Sequence, residues 1–222
     1  MSKYSAIIIE PRKHRALEFV LQNFLENLSD EWNIIIFHGN ENVDYVKDIV
    51  AQISNERIVK LVDLNVANLT YRSYSQLFTS KHIIYPHIDT ETFLIFQTDS
   101  MIFSKNHHLI NDFLEYDYVG APWGCGNVGN GGLSLRKKSK MLEIIDCYPY
   151  NGWDNEDIYF SFQNIIKCKK PEFEKAKTFS VETIFNENCF GVHNCWKYIQ
   201  PSELDRLKEL YPEINTLIEL NQ

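Results

Sequence analysis

The sequence predicts a single α/β domain: a mostly parallel central sheet with helices on both faces. Three observations lead there. Short β-branched runs alternate along the chain with amphipathic helical stretches. The leading runs, residues 5–9 and 32–37, are apolar at nearly every position rather than at alternate ones, the pattern of strands covered on both faces. The 222 residues, 44% of them hydrophobic, suffice for one core. No repeat, low-complexity tract or linker divides them, so residues 1–222 are read as one domain.

The elements follow in order. SAIII (residues 5–9) is stopped by Glu10-Pro11 and reads as the first strand. Residues 14–28 place Leu17, Val20, Leu21, Phe24, Leu25 and Leu28 at helical spacing. WNIIIF (32–37), closed by His38-Gly39-Asn40, is the second strand. Residues 43–53 form a helix and 58–64 a third strand. Residues 66–82 predict a helix carrying Leu69, Tyr71, Tyr74, Leu77 and Phe78 inward. TFLIFQTDS (92–100) is the central strand, with 93–96 as its apolar heart.

Beyond it, 109–113 is a short helical or turn segment and 118–120 a short strand. Residues 127–132 are a Gly/Asn loop. A strand at 132–135 feeds a helix at 137–147, and 156–166 is a further helix. Residues 181–185 and 190–193 are short extended pieces. Residues 204–210 fall in a C-terminal helix spanning about 202–220. Ligands of such sheets bind beyond the carboxyl ends of the strands, so the loops after Ile9, Phe37 and Phe96 belong on one functional edge.

Composition excludes some classes. A formal net charge of −8 is the opposite of a nucleic-acid footprint. The basic runs, residues 136–138 and 167–170, read as solvated helix ends. The five cysteines lack C-x-x-C spacing, which speaks against a zinc site or disulfide framework and for a reducing compartment. The apolar run at 6–9 is too short for a signal segment, and no stretch reaches the ~18 apolar residues of a membrane span. A cytoplasmic protein is expected.

Four places carry candidate chemistry, each with two readings. Asp99, at the end of an apolar strand, is either a hard ligand for a divalent metal on a diphosphate or a turn cap with Ser100. Gly129-Asn130-Gly131-Gly132 is either a plain loop or one whose backbone must approach a neighbour closely. Asp154, Glu156 and Asp157, after Trp153, either complement a helix dipole or include a general base. His193 is either structural or the nitrogen completing a metal site. Trp123 and Trp196, with Tyr118, are either stacking walls for a sugar or base, or core.

The order QTD, GNGGLSLR, NED and a late histidine resembles the four signatures of the GT-A glycosyltransferase fold. More closely, the chain resembles the DUF5672 family of glycosyltransferase-like proteins. The stretches that carry the resemblance are IIIEPRKHRALEFVLQNFL, WNIIIFHGNEN, FLIFQTDSMI, DFLEYDYVGAPWG, GNGGLSLRKKSKML, NEDIYFS, FSVETIF and FGVHNCWKY, from about residue 6 to about 200. The resemblance implies a hexosyltransferase-type enzyme acting on a nucleotide-diphosphate sugar and an acceptor hydroxyl, glycan or other. It implies Mn2+ or Mg2+ on Asp99 and His193, Asp157 as general base, and Glu156 holding hydroxyls. Donor contacts would come from Pro11, Arg12, His38, Gln97, Thr98, Asp99, Gly131 and Gly132, and acceptor contacts from Trp123, Trp153 and Asp154. Gln97 departs from the pattern: it stands where the motif has its first acid.

Two other classes compete. A non-catalytic nucleotide-sugar or glycan-binding module would suit Gln97. A sugar nucleotidyltransferase would suit the basic residues at 12–13, although the loop after the first strand has no glycine. Sugar, nucleotide, acceptor, stereochemistry and oligomeric state are not written in the sequence.

Overall fold

In the computed structural model, which describes residues 2–53 and 59–222, the isoleucine-rich strands form the middle of the main sheet. Strand β1 (Tyr4–Glu10) lies between β2 (Trp32–His38) and β4 (Thr92–Phe96), parallel to both. Strand β3 (Val59–Asp63) extends the sheet beyond β2, also parallel. Position 58, the first of the expected third strand, lies outside the described residues.

Strand β7 (Leu133–Lys137) runs antiparallel to β4, and β6 (Tyr118–Gly120) antiparallel to β7. The order is β3-β2-β1-β4-β7-β6. The mostly parallel sheet thus contains one reversed strand. The reversal matters for the site: Leu133 pairs with Phe96, so the residues just before β7 lie beside those just after β4.

Alternate residues of these strands enter opposite cores, as a period of two requires. Ala6, Ile8, Ile34, Ile36, Leu94 and Phe96 pack under α1 (Leu17–Asn27) and α2 (Val43–Ile53). Ile7, Ile9, Ile35, Phe37, Phe93 and Ile95 pack on the other face with α3 (Tyr71–Thr79), α4 (Lys138–Cys147) and α5 (Glu156–Phe162). Phe24 of α1 stacks on Phe96 with ring centroids 3.8 Å apart.

Several boundaries differ from expectation for local reasons. Helix α3 begins at Tyr71 because Thr70 and Ser73 form a reciprocal cap. Helix α5 stops at Phe162, where the Gln163 side chain bonds both backbone groups of Ile166 and closes a loop. After a short α6 (Phe173–Ala176), the C-terminal region is two helices, α7 (Pro201–Leu210) and α8 (Ile214–Leu220), parted at Tyr211-Pro212. The helical or turn segment expected at 109–113 is the end of a longer 3₁₀ stretch, Ser104–Phe113.

The expected strand at 92–100 is broken. Gln97-Thr98-Asp99 turns the chain out of the main sheet into a second one, ordered β5-β9-β8, of β5 (Ser100–Ile102), β8 (Ser180–Val181) and β9 (Gly191–His193). Asn23 of α1 holds β5 through both backbone groups of Ile102. All five cysteines are free. Among the described residues no helix is long and apolar enough to cross a membrane.

Candidate active site

The QTD turn is closed by Ser100, not by Asp99. The Ser100 hydroxyl accepts from Gln97 N at 3.2 Å and donates to Gly132 O at 3.0 Å, and Ser100 N donates to Gln97 O. Both ends of the turn are tied from outside. Asn194 N donates to Asp99 O, and Asn221 Nδ2, just past α8, donates to Thr98 O. The Asp99 carboxylate is therefore not spent on the turn: its Oδ1 is buried and has no hydrogen-bond partner.

Strand pairing in the second sheet delivers the histidine. Ser100 pairs with His193 across β5 and β9, and Val181 pairs with Val192 across β8 and β9. His193 thereby sits between two carboxylates, with Nε2 3.3 Å from Asp99 Oδ1 and Nδ1 3.3 Å from Glu182 Oε1. Nε2 is also 3.2 Å from Gln97 Oε1, while Gln97 Nε2 donates to the Tyr74 hydroxyl. Burial opposes a charged His193, but Asp99 and Glu182 outweigh it and raise its pKa to about 10. Burial likewise works to raise Asp99; the imidazolium beside it overrides this and holds the carboxyl below its ordinary range.

The glycine loop joins this corner to the NED segment. A Cβ on Gly132 would overlap the His193 ring, and one on Gly131 would overlap Glu156 Oε1 and press Asp157 Cβ at 3.0 Å. These glycines are therefore required by close approach, as expected of a positioned loop. Gly131 N donates to Asp157 Oδ2 at 3.1 Å, and Ile158 N to Asp157 Oδ1 at 2.8 Å. Burial raises the Asp157 pKa against these two donors, which makes it a stronger base than an exposed carboxylate.

Glu156 is placed differently. It is 4% exposed, and both its oxygens are held by Arg136, at 2.5 and 3.0 Å. It faces Arg136 rather than the cavity, so in this state no oxygen is open for a substrate hydroxyl. Arg136 corrects the expectation that residues 136–138 form a solvated run: it is fully buried, caged by Tyr118, Phe78 and Phe160 with its guanidinium carbon 4.6 Å from the Tyr118 ring centre. Arg136 Nε donates to Ser134 Oγ, and Ser134 Oγ to Gly131 O, so the ion pair also pins the loop.

Beyond the strand ends lies a cavity of about 540 Å³, lined by Ile9, Glu10, Pro11 and Arg12 after β1, residues 68–71 and Tyr74 around α3, and Gln97-Thr98-Asp99. Arg12 grips Glu10 through Nε and Nη2, both at 2.8 Å. Asn42 braces this loop by donating to Glu10 O and Arg12 O. Of the expected donor contacts, Pro11, Arg12, Gln97, Thr98 and Asp99 line this space; Gly132 packs on His193, the neighbour of Asp99, while Gly131 packs on Glu156 and Asp157. His38 does not line it: it is 4% exposed, with Nδ1 against Gly39 O.

The three acceptor candidates lie outside the cavity walls. Trp123 packs on Phe162, 5.4 Å between centroids. Trp153 is 82% exposed, on a turn held by Asn151 Oδ1, with Arg72 of α3 over its ring at 5.2 Å. The Asp154 carboxylate accepts from Asn151. Sequence reading gave Glu182 no role; its only signal was its place in the stretch FSVETIF.

The residues fit a divalent cation in one respect. A buried Asp99 Oδ1 that makes no hydrogen bond faces His193 Nε2, with Gln97 Oε1 beside the same nitrogen. Among the described residues no three His, Cys, Asp or Glu side chains form a cage by themselves. That suits a cation bound by few protein groups and completed by substrate oxygens.

The fold is shared with several enzymes of known structure. Glycosyltransferase GlyE of Streptococcus pneumoniae, in its apo form, superposes with a TM-score of 0.59 at 11% identity, over 98% of this chain and 62% of that one. Mannosyltransferase PcManGT from Pyrobaculum calidifontis, in complex with GDP-Man and Mn2+, gives 0.52 at 10% identity, over 71% and 50%. The 4-diphosphocytidyl-2C-methyl-D-erythritol synthase of Anaerococcus prevotii gives 0.53 at 13%, over 96% and 99%. At these identities the likeness carries the fold, GT-A-like, and nothing finer. No curated protein matches the sequence. The family model for "Protein of unknown function (DUF5672)" matches residues 58–193, well over half of the chain, which therefore belongs to that family.

Proposed function

We propose that the protein is a metal-dependent glycosyltransferase that moves a sugar, a hexose, from a nucleotide-diphosphate donor to an acceptor hydroxyl. The observation that carries this reading is the buried Asp99 Oδ1 at the edge of the cavity, which makes no hydrogen bond and faces His193 Nε2 at 3.3 Å. The charged cavity-lining residues are Glu10, Arg12 and Asp99, and the Arg12 fork is held by Glu10. An anionic diphosphate entering such walls meets net negative charge, which a divalent ion reverses.

The residues divide the work. Asp99 and His193 would hold Mn2+ or Mg2+, which neutralises charge on the departing diphosphate. Pro11, Arg12 and Thr98 line the nucleotide's space, and Gln97 holds the turn against Tyr74. Asp157 takes the proton from the acceptor hydroxyl. That oxygen then bonds to the anomeric carbon as the carbon–oxygen bond to the diphosphate breaks, its electron pair leaving with the diphosphate. Glu156 acts through Arg136 to fix Asp157 and the loop. Trp153, exposed four residues before Asp157, offers a face for an acceptor.

The test is nucleotide release from a panel of UDP- and GDP-sugars, with Mn2+ and with chelator. Metal-dependent release is expected with at least one donor. Absence of both binding and release across the panel overturns the reading. A second reading, a binding module without turnover, is favoured by Gln97 being neutral and already engaged with Tyr74. Calorimetry showing donor binding with no transfer to any acceptor would select it.

A further inference from the structure

Glu182 is a buried carboxylate that the proposed chemistry leaves unused. It is 6% exposed, and its Oε1 accepts from Asn130 Nδ2 at 2.8 Å while lying 3.3 Å from His193 Nδ1. Asn130 in turn accepts from Gly132 N through its Oδ1 at 3.0 Å. The four residues form a ring: Glu182 to Asn130, Asn130 to Gly132, and Gly132 flat against the His193 imidazole. Among the described contacts of Glu182 there is no lysine or arginine ion pair. A buried carboxylate is costly to desolvate, so its retention here calls for a specific partner.

We infer that Glu182 is the positioning residue for His193: it accepts Nδ1–H and so aims Nε2 at the point shared by Asp99 Oδ1 and Gln97 Oε1. The inference deepens the glycosyltransferase reading and rests on it only where it speaks of metal. An imidazole has two nitrogens, and a donor–acceptor bond at one fixes which face the other presents. Nδ1 is buried and lacks a closed hydrogen bond at 3.3 Å, a separation that a small ring rotation shortens. Gly132, lacking a Cβ, leaves the ring the space it occupies. Asn130 supplies the second hydrogen bond that keeps the carboxylate from swinging away. The glycine loop, through Asn130, thus reports its position directly to the histidine.

The experiment has two arms. In the first, Mn2+ binding is measured by calorimetry with a saturating non-transferable nucleotide diphosphate, for wild type, Glu182→Ala and Glu182→Gln. Removing such an outer partner weakens metal affinity on the order of 10–100-fold, and that is expected for Glu182→Ala. Glu182→Gln keeps an acceptor oxygen and is expected to retain most of the affinity. Wild-type affinity in Glu182→Ala overturns the inference, as does a Glu182→Gln variant as weak as Glu182→Ala, which would make charge rather than orientation the cause.

The second arm needs no metal: crystal structures of both variants. The His193 ring is expected to turn away from Asp99 in Glu182→Ala and to stay in Glu182→Gln; an unmoved ring in Glu182→Ala overturns the inference. A wild-type protein that binds no Mn2+ would sink the metal-dependent reading alone, since the ring's orientation is still read in this arm. Should Glu182→Ala not fold, Asn130→Ala, which frees the carboxylate while leaving it in place, takes its role in both arms.

Discussion

Gly132 lies flat against the imidazole of His193, with the ring occupying the space a Cβ would need. Two segments separated by 61 positions are thus in register only while residue 132 has no side chain. Gly132→Ala must push the ring away from Asp99 or lift the loop off β9. The expected outcome is a soluble, folded protein with Mn2+-dependent donor binding weakened about tenfold or more, the range for disturbing a metal ligand's surroundings. Calorimetry with Mn2+ and nucleotide diphosphate checks it, with circular dichroism to verify folding.

Arg136 and Glu156 form a buried ion pair on this side of the sheet. Each is buried, and the guanidinium is stacked among three aromatic rings. Arg136→Met fills the space but strands a buried carboxylate, which costs about 3–5 kcal/mol. For a chain of this length that lowers Tm by roughly 10 °C. Adding Glu156→Gln to Arg136→Met removes the stranded charge and should recover part of the loss. Thermal unfolding of the two variants, monitored by circular dichroism, decides it; equal Tm values would mean the charge was never the cost.

These two relationships also mark the limit of what could be read from residues alone. The strands were legible because β1, β2 and β4 are buried on both faces and so continuously apolar, and the helices because their apolar residues fall at 3.6-residue spacing. The four signature segments were legible as segments. The break of 92–100 into strand, turn and strand was not, because it rests on the turn that Ser100 closes on Gln97 and on the pairing of Ser100–Ile102 with the distant Gly191–His193. Arg136 looked solvated because two lysines follow it, while its partner Glu156 is 20 positions away in the chain. Glu182 carried no local signal: its meaning arises from the parallel pairing of β8 with β9, which no spacing in the sequence encodes.

In the proposed mechanism Asp157 sets the acid limit of activity. A base works when deprotonated, so activity is present above its pKa and lost as pH falls through it. Burial raises that pKa, so the acidic limb of kcat should lie above the ~3.9 of an ordinary aspartate. Asp157→Asn keeps the shape and one acceptor for the two backbone donors, Gly131 N and Ile158 N, but cannot take a proton. Donor affinity should be unchanged, kcat should fall about 10²–10⁴-fold, and the acidic limb should disappear. Initial rates from about pH 4 to 9 on both proteins test this; a limb that persists in Asp157→Asn assigns it to another group.

Gln97 is where this chain departs from the two-acid motif, and reversing that departure is informative. Its amide donates to the Tyr74 hydroxyl and turns its oxygen toward His193 Nε2, the same nitrogen that faces Asp99. Gln97→Glu preserves length and places a second negative charge at the point where Asp99 Oδ1 lacks a partner. Affinity for hard cations rises with the number of charged ligands, so Mn2+ should bind about tenfold more tightly. The same change loses the bond donated to Tyr74, and without metal it sets two carboxylates against each other, so the metal-free variant should unfold at a lower temperature than wild type. Added Mn2+ should therefore raise the variant's Tm by more than it raises the wild type's. Equal shifts in the two proteins would place the cation away from Gln97 and Asp99.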